Sequence, residues 1–250
     1  CKKVLVANEG EPNSYNQPDS VDPEGSITIV DLRHGVAHAS SQNVGFAGFN
    51  NITLDPSIRI FGPNATVAKD LEPEYIAVDH NSKTAWITLQ ENNAVAVLDI
   101  KRARIKRLTG LGFKDHNSVV NKIDASDRDT PGTSNNGLVN IRNWPVFGMY
   151  QPDAITSYKS RGRTYYITAN EGDARDYTGF AEEARVGALT LDAAAFTIKG
   201  YPDVSTGANG LRNNDNLGRL TVTRTLGNTD QDADFEDLYA FGSRSISIWD

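Results

Sequence analysis

Short hydrophobic runs, separated by polar turns, recur along the chain and predict β-strands. The run VLVANEGE at residues 4–11 returns as YITANEGD at residues 166–173, and WITLQEN at residues 86–92 is a looser copy. Runs of this length, rich in Val, Ile, Thr and Tyr and bounded by Asn, Asp, Gly and Ser, are typical of antiparallel strands. The chain therefore contains an internal repeat in which a strand leads into an acidic turn.

Two further elements accompany the repeated run. A Pro-acid-x-Ile segment precedes two of the copies, at residues 72–78 and 151–157. A nearly alternating apolar run closed by Asp forms the third element, and its copies are residues 25–31, 94–99 and 245–250. The repeating unit thus reads strand, turn, strand, acidic turn, strand, which favours a β-propeller blade.

We therefore predict an all-β fold, a partial β-propeller that forms a single domain over residues 1–250. Three units are recognisable, too few to close a ring, and a β-sandwich with similar hairpins is the alternative. Polar insertions at about residues 113–140 and 173–218 separate the units, and the second contains candidate short helices at residues 180–187 and 191–196. Because both ends of the sequence lie next to strands, we expect a fragment of a longer chain.

Composition narrows the classes of function. Lys and Arg total 25 and Asp and Glu total 32, so the formal net charge is −7, and hydrophobic residues make up 38%. These values are those of a globular protein rather than a disordered acidic tail. The absence of a basic stripe argues against a nucleic-acid partner, and no apolar run is long enough to predict a transmembrane segment. The single cysteine, Cys1, excludes an internal disulfide and a CxxC site.

The densest chemical signal is an acidic run near the end of the chain. Carboxylates at nearly every second position of a turn can converge on one hard cation, and Ca²⁺ accepts six to eight oxygen ligands from irregular loops. The alternative is a solvated hairpin tip between strands at residues 220–223 and 238–241. The first candidate metal ligands are Asp230, Asp232, Asp234, Glu236 and Asp237.

A second set of carboxylates occupies equivalent places in the repeat. Equivalent positions of different propeller blades surround one axis, so these side chains would face one another and bind further cations, with Ca²⁺ as the expected cofactor. The alternative is that each carboxylate caps the backbone of a neighbouring turn. The candidates after a strand are Glu9, Glu11, Glu91, Glu171 and Asp173, and those before a strand are Glu72, Glu74 and Asp153.

Other catalytic and modification motifs are few. The sequence has no Gly-x-Ser-x-Gly elbow, no Walker loop and no His-Glu-x-x-His pair. Two Asn-x-Thr sequons, at Asn51 and Asn64, are candidate N-glycosylation sites.

Several motifs together resemble the choice-of-anchor I family. They include VDPEGSITIVDL, RIFGPNATVAKDLEPEYIAV, NWPVFGMYQPDAI, FAEEARV and LYAFGSRSISIWD, besides the repeated runs above. The resemblance covers nearly the whole chain, and the sequence departs from the family pattern around residues 130–136 and 200–214. It implies a YVTN/LVIVD-like β-propeller on a protein that is secreted or displayed at the cell surface, like the mesenchyme-specific cell-surface glycoproteins associated with biomineralisation.

The leading functional hypothesis is thus an extracellular Ca²⁺-binding matrix or binding protein whose partners are divalent cations and an extracellular matrix, mineral or surface protein. One alternative is a metal-dependent phosphoesterase, since some relatives carry an alkaline-phosphatase label, with Arg175, Arg185 or Arg244 binding the phosphate. Another is a structural component of a surface layer or filament.

Overall fold

β-Sheets make up the structure, a computed structural model that describes residues 2–129 and 137–250. Cys1 and the departure from the family pattern at residues 130–136 lie outside the described residues. The strands are β1 (Lys3–Asn8), β2 (Ser26–Asp31), β3 (Ser40–Gly45), β4 (Ile76–Val78), β5 (Thr84–Leu89), β6 (Ala94–Asp99), β7 (Arg104–Gly110), β8 (Phe113–Asp115), β9 (Phe147–Met149), β10 (Ala154–Ser160), β11 (Arg163–Asn170), β12 (Asp176–Tyr177), β13 (Phe180–Ala181), β14 (Glu183–Arg185), β15 (Thr221–Thr223), β16 (Tyr239–Ala240) and β17 (Ser245–Trp249).

The helices are short. They are α1 (Val67–Asp70), α2 (Ala193–Ile198) and the 3-10 turns Val36–His38, Ala47–Phe49 and Val186–Ala188. The predicted all-β class is therefore confirmed.

Two compact units divide the chain. Unit 1 comprises residues 1–112, 150–181 and 244–250, and unit 2 comprises residues 113–149 and 182–243. Most of the two predicted insertions thus belongs to unit 2. The single domain over residues 1–250 stays a prediction.

Unit 1 contains three sheets and a short ribbon. The strand orders are β1-β2-β3, β4-β5-β6-β7 and β10-β11-β17, and β12 pairs with β13 in the ribbon. The four-stranded sheet is buried on both faces because alternate residues of β6 enter different hydrophobic clusters. Ala94, Ala96 and Leu98 pack in the cluster that contains β2, whereas Val95 and Val97 pack in the one that contains β10 and β11.

The asparagine of the repeated run has the same role in two sheets. Asn8 at the end of β1 donates to the hydroxyls of Ser26, 3.1 Å away, and Thr28, 2.8 Å away, on the paired strand β2. Asn170 at the end of β11 donates in the same way to two serines of β17. Two units of the sequence repeat are therefore equivalent in structure, with β17 completing the unit that begins near residue 152. The described residues form no closed propeller, so the propeller remains a proposal.

The β10–β11 hairpin shows how local sequence fixes register. Ser160 pairs with Arg163, which leaves Arg161 and Gly162 as a two-residue loop. Their φ angles are 48° and 84°, and positive φ at both positions is the requirement of a type I′ turn.

Unit 2 is built on one five-stranded sheet with the order β14-β15-β16-β9-β8. Strands β16 and β9 are parallel, and the other pairs are antiparallel. Side chains that include Trp144, Phe196, Leu217 and Leu238 form its hydrophobic cluster. The acidic run lies in the connection between β15 and β16, two paired strands of this sheet.

The helix predicted at residues 180–187 is wrong, whereas the one at residues 191–196 overlaps α2. The first segment forms β13, β14 and a 3-10 turn. Strand β14 pairs with β15 from Glu183 opposite Thr223 to Arg185 opposite Thr221, so a long-range strand pairing overrides the local helical propensity of this Ala- and Glu-rich segment.

Stacking of Trp86 on Tyr166 is expected to be a main support of unit 1. The ring centroids are 4.3 Å apart and the planes differ by 13°, and Trp86 is 8% exposed. Trp86→Ala should lower the free energy of unfolding by about 3–5 kcal/mol, measured by urea denaturation. Val36→Ala, at an 82% exposed residue, is the control and should change it by less than about 0.5 kcal/mol. Equal effects of the two variants would contradict the assignment.

Candidate metal centres

The acidic run of unit 2 brings carboxylate oxygens together between β15 and β16. Asp230, Asp232 and Glu236 each offer one oxygen, and these atoms lie within 4.8 Å of one another. Asp192, Asp234 and Glu236 form a second set with the same property. Since Glu236 belongs to both sets, we treat the five residues as one group and call it the loop site.

Hydrogen bonds within the run hold this arrangement. Asp230 Oδ1 accepts from the backbone N–H of Asp232 at 3.3 Å, and Asp232 Oδ1 accepts from the N–H of Asp234 at 2.8 Å. Glu236 Oε2 accepts from the N–H and the hydroxyl of Thr229 at 2.5 and 2.8 Å. Asp230, Asp232 and Glu236 are thus each oriented by hydrogen bonds to one carboxylate oxygen.

Several oxygens of residues 228–236 are shielded from solvent without a donor. Asn228 Oδ1, Asp234 Oδ1 and Glu236 Oε1 accept no hydrogen bond from any part of the chain that the structure describes. Burial and repulsion by Asp232 and other neighbouring carboxylates raise the pKa of Asp234, whereas the hydrogen bonds from Thr229 lower the pKa of Glu236. The loop site therefore concentrates negative charge that its own hydrogen bonds compensate only in part.

The sequence-based set differs from the loop site at two residues. Asp237 lies 3.1 Å from the ammonium group of Lys199, so an ion pair occupies it. Asp192 was not among the predicted ligands. It caps α2, where its Oδ1 accepts from the N–H of Ala195 at 2.5 Å. Its distance along the chain from the acidic run explains why local spacing could not indicate it.

A second cluster lies in unit 1 and consists of Glu9, Glu74 and Glu91, which we call the glutamate site. One carboxylate oxygen of each residue lies within 4.8 Å of the others. Glu9 follows β1 and Glu91 follows β5, at equivalent places of the repeat, and Glu74 precedes β4. Burial increases from the exposed Glu9 through the half-buried Glu74 to Glu91, which is 8% exposed.

The surroundings of the glutamate site disfavour the ionised form of its three carboxyl groups. Burial, followed by repulsion from Glu91, raises the pKa of Glu74. The pKa of Glu91 is also raised, mainly by burial, and repulsion by Asp173 adds to this. Burial and the neighbouring Glu11 and Asp173 raise the pKa of Glu9. Without a cation, protons must therefore relieve part of the repulsion.

Arg175 lies beside the glutamate site and is itself buried. Its Nη1 donates to Asp70 Oδ1 at 2.6 Å, and its Nη2 lies 3.1 Å from Glu72 Oε1. The N–H groups of Phe61 and Gly62 also donate to the Asp70 carboxylate. Burial outweighs the attraction of Arg175 and raises the pKa of Glu72 to about 8. Glu72 thus faces the arginine instead of joining the ligand set.

Asn92 connects this buried network to the glutamate site. Its Nδ2 donates to the carbonyl oxygens of Asp70, at 2.7 Å, and Arg59, at 2.9 Å, while its Oδ1 accepts from the N–H of Glu72 at 3.2 Å. Arg59 in turn donates to the Glu91 carbonyl at 2.8 Å. The backbone that carries Glu91 is therefore fixed on several sides.

The remaining sequence-based candidates lie outside the glutamate site. Glu11 accepts from the hydroxyl of Tyr177 at 2.7 Å, and Asp173 Oδ1 accepts from the next backbone N–H at 2.7 Å. Glu171 and Asp153, the counterparts of Glu91 and Glu74 in the third repeat, are exposed. The glutamate site therefore draws its carboxylates from two copies of the repeat rather than from all three.

Both sequon asparagines lie on the surface. Asn51 and Asn64 are exposed, and Thr66 of the second sequon caps α1. Glycosylation stays a prediction.

The raised carboxyl pKa values of unit 1 predict a loss of stability with rising pH in the presence of a chelator. Between the ordinary glutamate value of 4.5 and the higher value in the folded chain, the folded state binds more protons than the unfolded state. The contribution of Glu74 to the free energy of unfolding is therefore fully present below about pH 4.5 and is lost as the pH rises through the higher folded-state pKa. Glu74→Gln should reduce this fall, measured as urea midpoints at pH 5.5 and 8.

Glu171→Gln is the matched control for this measurement because Glu171 is an exposed glutamate of the same repeat. It should leave the wild-type pH dependence unchanged. An identical fall in the Glu74→Gln and wild-type proteins would contradict the electrostatic account of the cluster.

Comparison with known proteins gives one informative match. The Choice-of-anchor I domain matches residues 1–250, and no curated protein matches the sequence. A solved structure of Kuenenia stuttgartiensis hydrazine synthase is 16% identical, with 62% of this chain and 37% of that chain covered and a TM-score of 0.23. The chain thus spans little more than a third of that protein, and a likeness this weak says nothing about fold or function.

Surface association follows from the family match, since the domain is that of surface-associated proteins. Across residues 2–129 and 137–250, none of the helices has the length and apolar character needed to span a bilayer. The match extends over the entire sequence, and the chain belongs to the choice-of-anchor I family.

Proposed function

We propose that the chain is a Ca²⁺-binding module of a surface-associated protein and that the ion binds at the loop site. One observation carries this proposal: two sets of three carboxylates share Glu236, and within them Asp234 and Glu236 each bury an oxygen without a donor from the described residues. Shielded oxygens of this kind are costly unless a partner compensates them. A cation bound by Asp234 and Glu236 would compensate these oxygens.

The donor chemistry favours Ca²⁺. Every candidate ligand of the loop site is an oxygen, which suits a hard cation, whereas Zn²⁺ prefers nitrogen and sulfur. Ligand atoms within 4.8 Å of one another fit inside a Ca²⁺ coordination sphere with Ca–O distances of about 2.3–2.6 Å. Mg²⁺ requires a tighter and more regular octahedron, which an irregular loop with exposed members supplies less well.

Bound Ca²⁺ would stabilise unit 2 by joining separate elements. Asp192 belongs to the N-terminus of α2, whereas the other ligands lie between β15 and β16. A carboxylate can cap a helix with one oxygen and bind an ion with the other, so the ion would fasten the helix to the loop. The same contact would remove the repulsion among the neighbouring carboxylates.

Two finer functions have less support. Of the three arginines that a phosphoesterase could use to bind phosphate, Arg175 is 1% exposed and donates to Asp70, whereas Arg185 and Arg244 are exposed. A matrix role in biomineralisation rests on the family resemblance alone.

Hydrogen exchange across residues 228–237 tests the proposal. Ca²⁺ should slow backbone exchange in this segment of the wild-type protein, because the ion fixes the loop. The combined variant Asp232→Asn and Asp234→Asn should lose this protection. Asp215→Asn, at an exposed carboxylate elsewhere in unit 2, is the control and should retain it.

The proposal fails if saturating Ca²⁺ leaves exchange in the segment unchanged in the wild-type protein. It also fails if the double variant is protected as strongly as the control. Circular dichroism of the calcium-free proteins would establish that all of them fold alike.

A further inference from the structure

Unit 1 contains a group of carboxylates that neither the fold nor the loop site explains. The glutamate site lies in a different unit from the loop site, and its residues come from three separate strand ends. The two sites share no ligand residue.

Clusters of exposed acidic side chains are common in proteins, but a buried glutamate with an unpaired carboxylate oxygen, such as Glu91, is not. Glu91 is 8% exposed, and its Oε2 is shielded from solvent and accepts no hydrogen bond from residues 2–129 or 137–250. Glu74 Oε1 is shielded and unpaired in the same way within the described chain. Buried carboxylate oxygens normally have partners, so these two atoms indicate a ligand that supplies positive charge.

Arg59 and Arg175 are both buried beside this site, and Arg59 Nη1 donates to the backbone carbonyl of Glu91. Arg175 directs its Nη1 and Nη2 towards Asp70 and Glu72, and both acceptors are buried with it. Glu72 Oε2 nevertheless has no donor among the residues that the structure describes. The carboxylates of this region, Asp70, Glu72, Glu74 and Glu91, therefore outnumber its two buried arginines.

We propose that Glu9, Glu74 and Glu91 form a second divalent-cation site, in unit 1, that takes Ca²⁺. The three carboxylates supply up to six oxygens, and their spacing is within the diameter of a Ca²⁺ coordination sphere. The buried Glu91 requires the ion to lose water on one side, which Mg²⁺ does reluctantly. The exposed Glu9 marks the side from which the ion enters.

The repeat explains how the site arises. Glu9 and Glu91 occupy the same position after the second strand of their units, and Glu74 precedes the first strand of the unit to which Glu91 belongs. Two successive copies of the sequence repeat thus supply all three proposed ligands. The third copy of the repeat has acidic residues at the corresponding positions, Glu171 and Asp153, but they are exposed and lie outside the cluster. They therefore provide natural controls.

Calorimetric titration of the full chain with Ca²⁺ tests the site. The background should carry Asp232→Asn and Asp234→Asn so that the loop site contributes no binding. In that background we expect one Ca²⁺ per chain, with a higher thermal midpoint when Ca²⁺ is added. Glu9→Gln and Glu91→Gln should each weaken binding by about tenfold or more, as loss of a ligand does at least as much as loss of its supporting contacts.

Controls and contrary outcomes separate this site from the loop site. Glu171→Gln and Asp153→Asn should leave binding unchanged. Because Glu9 is exposed, Glu9→Gln tests the proposal even if Glu91→Gln fails to fold. The proposal would be overturned if Ca²⁺ gave no heat and no stabilisation in the Asp232→Asn, Asp234→Asn background, or if Glu9→Gln bound Ca²⁺ as well as that background. Glu74 and Glu91 would then be a pair of carboxyls that share a proton. Neither result would bear on hydrogen exchange at the loop site.

Discussion

Repulsion between carboxylates that the fold holds close together is the constraint on which the functional interpretation depends. The loop site gathers side chains from one acidic turn and from the start of a helix, and the glutamate site gathers them from three strand ends. Neither arrangement is favourable for the polypeptide alone, because like charges in a partly dehydrated setting oppose one another and raise their pKa values. Bound cations, as proposed, would turn the same arrangement into a source of stability.

Packing keeps the glutamates of unit 1 in place despite this repulsion. The four-stranded sheet is buried on both faces, and Trp86 stacks on Tyr166 across one of them. Asn92 and Arg175 add a buried polar network directly beside Glu91. A carboxylate whose backbone is fixed in this way cannot simply turn into water, so its charge must be met by a proton or a cation.

Much of the fold was predictable from the sequence because its repeat is local. The acidic turns, the flanking strands and the equivalence of Glu9 and Glu91 all follow from short runs with period-two hydrophobicity. Long-range choices were not predictable in this way. Asp192 joins the loop site from a distant helix, Glu171 stays outside the cluster, and strand pairing converts residues 183–185 from predicted helix to β14. Each outcome is decided by tertiary contacts that neighbouring residues do not encode.

Diffraction from crystals grown with Ca²⁺, at a wavelength where calcium scatters anomalously, tests the central claim most directly. The account predicts an anomalous peak in unit 2 with oxygens of Asp230, Asp232 and Glu236 about 2.3–2.6 Å away, and a second peak among Glu9, Glu74 and Glu91. Carboxylates turned apart into bulk water, with no peak at either position, would contradict it.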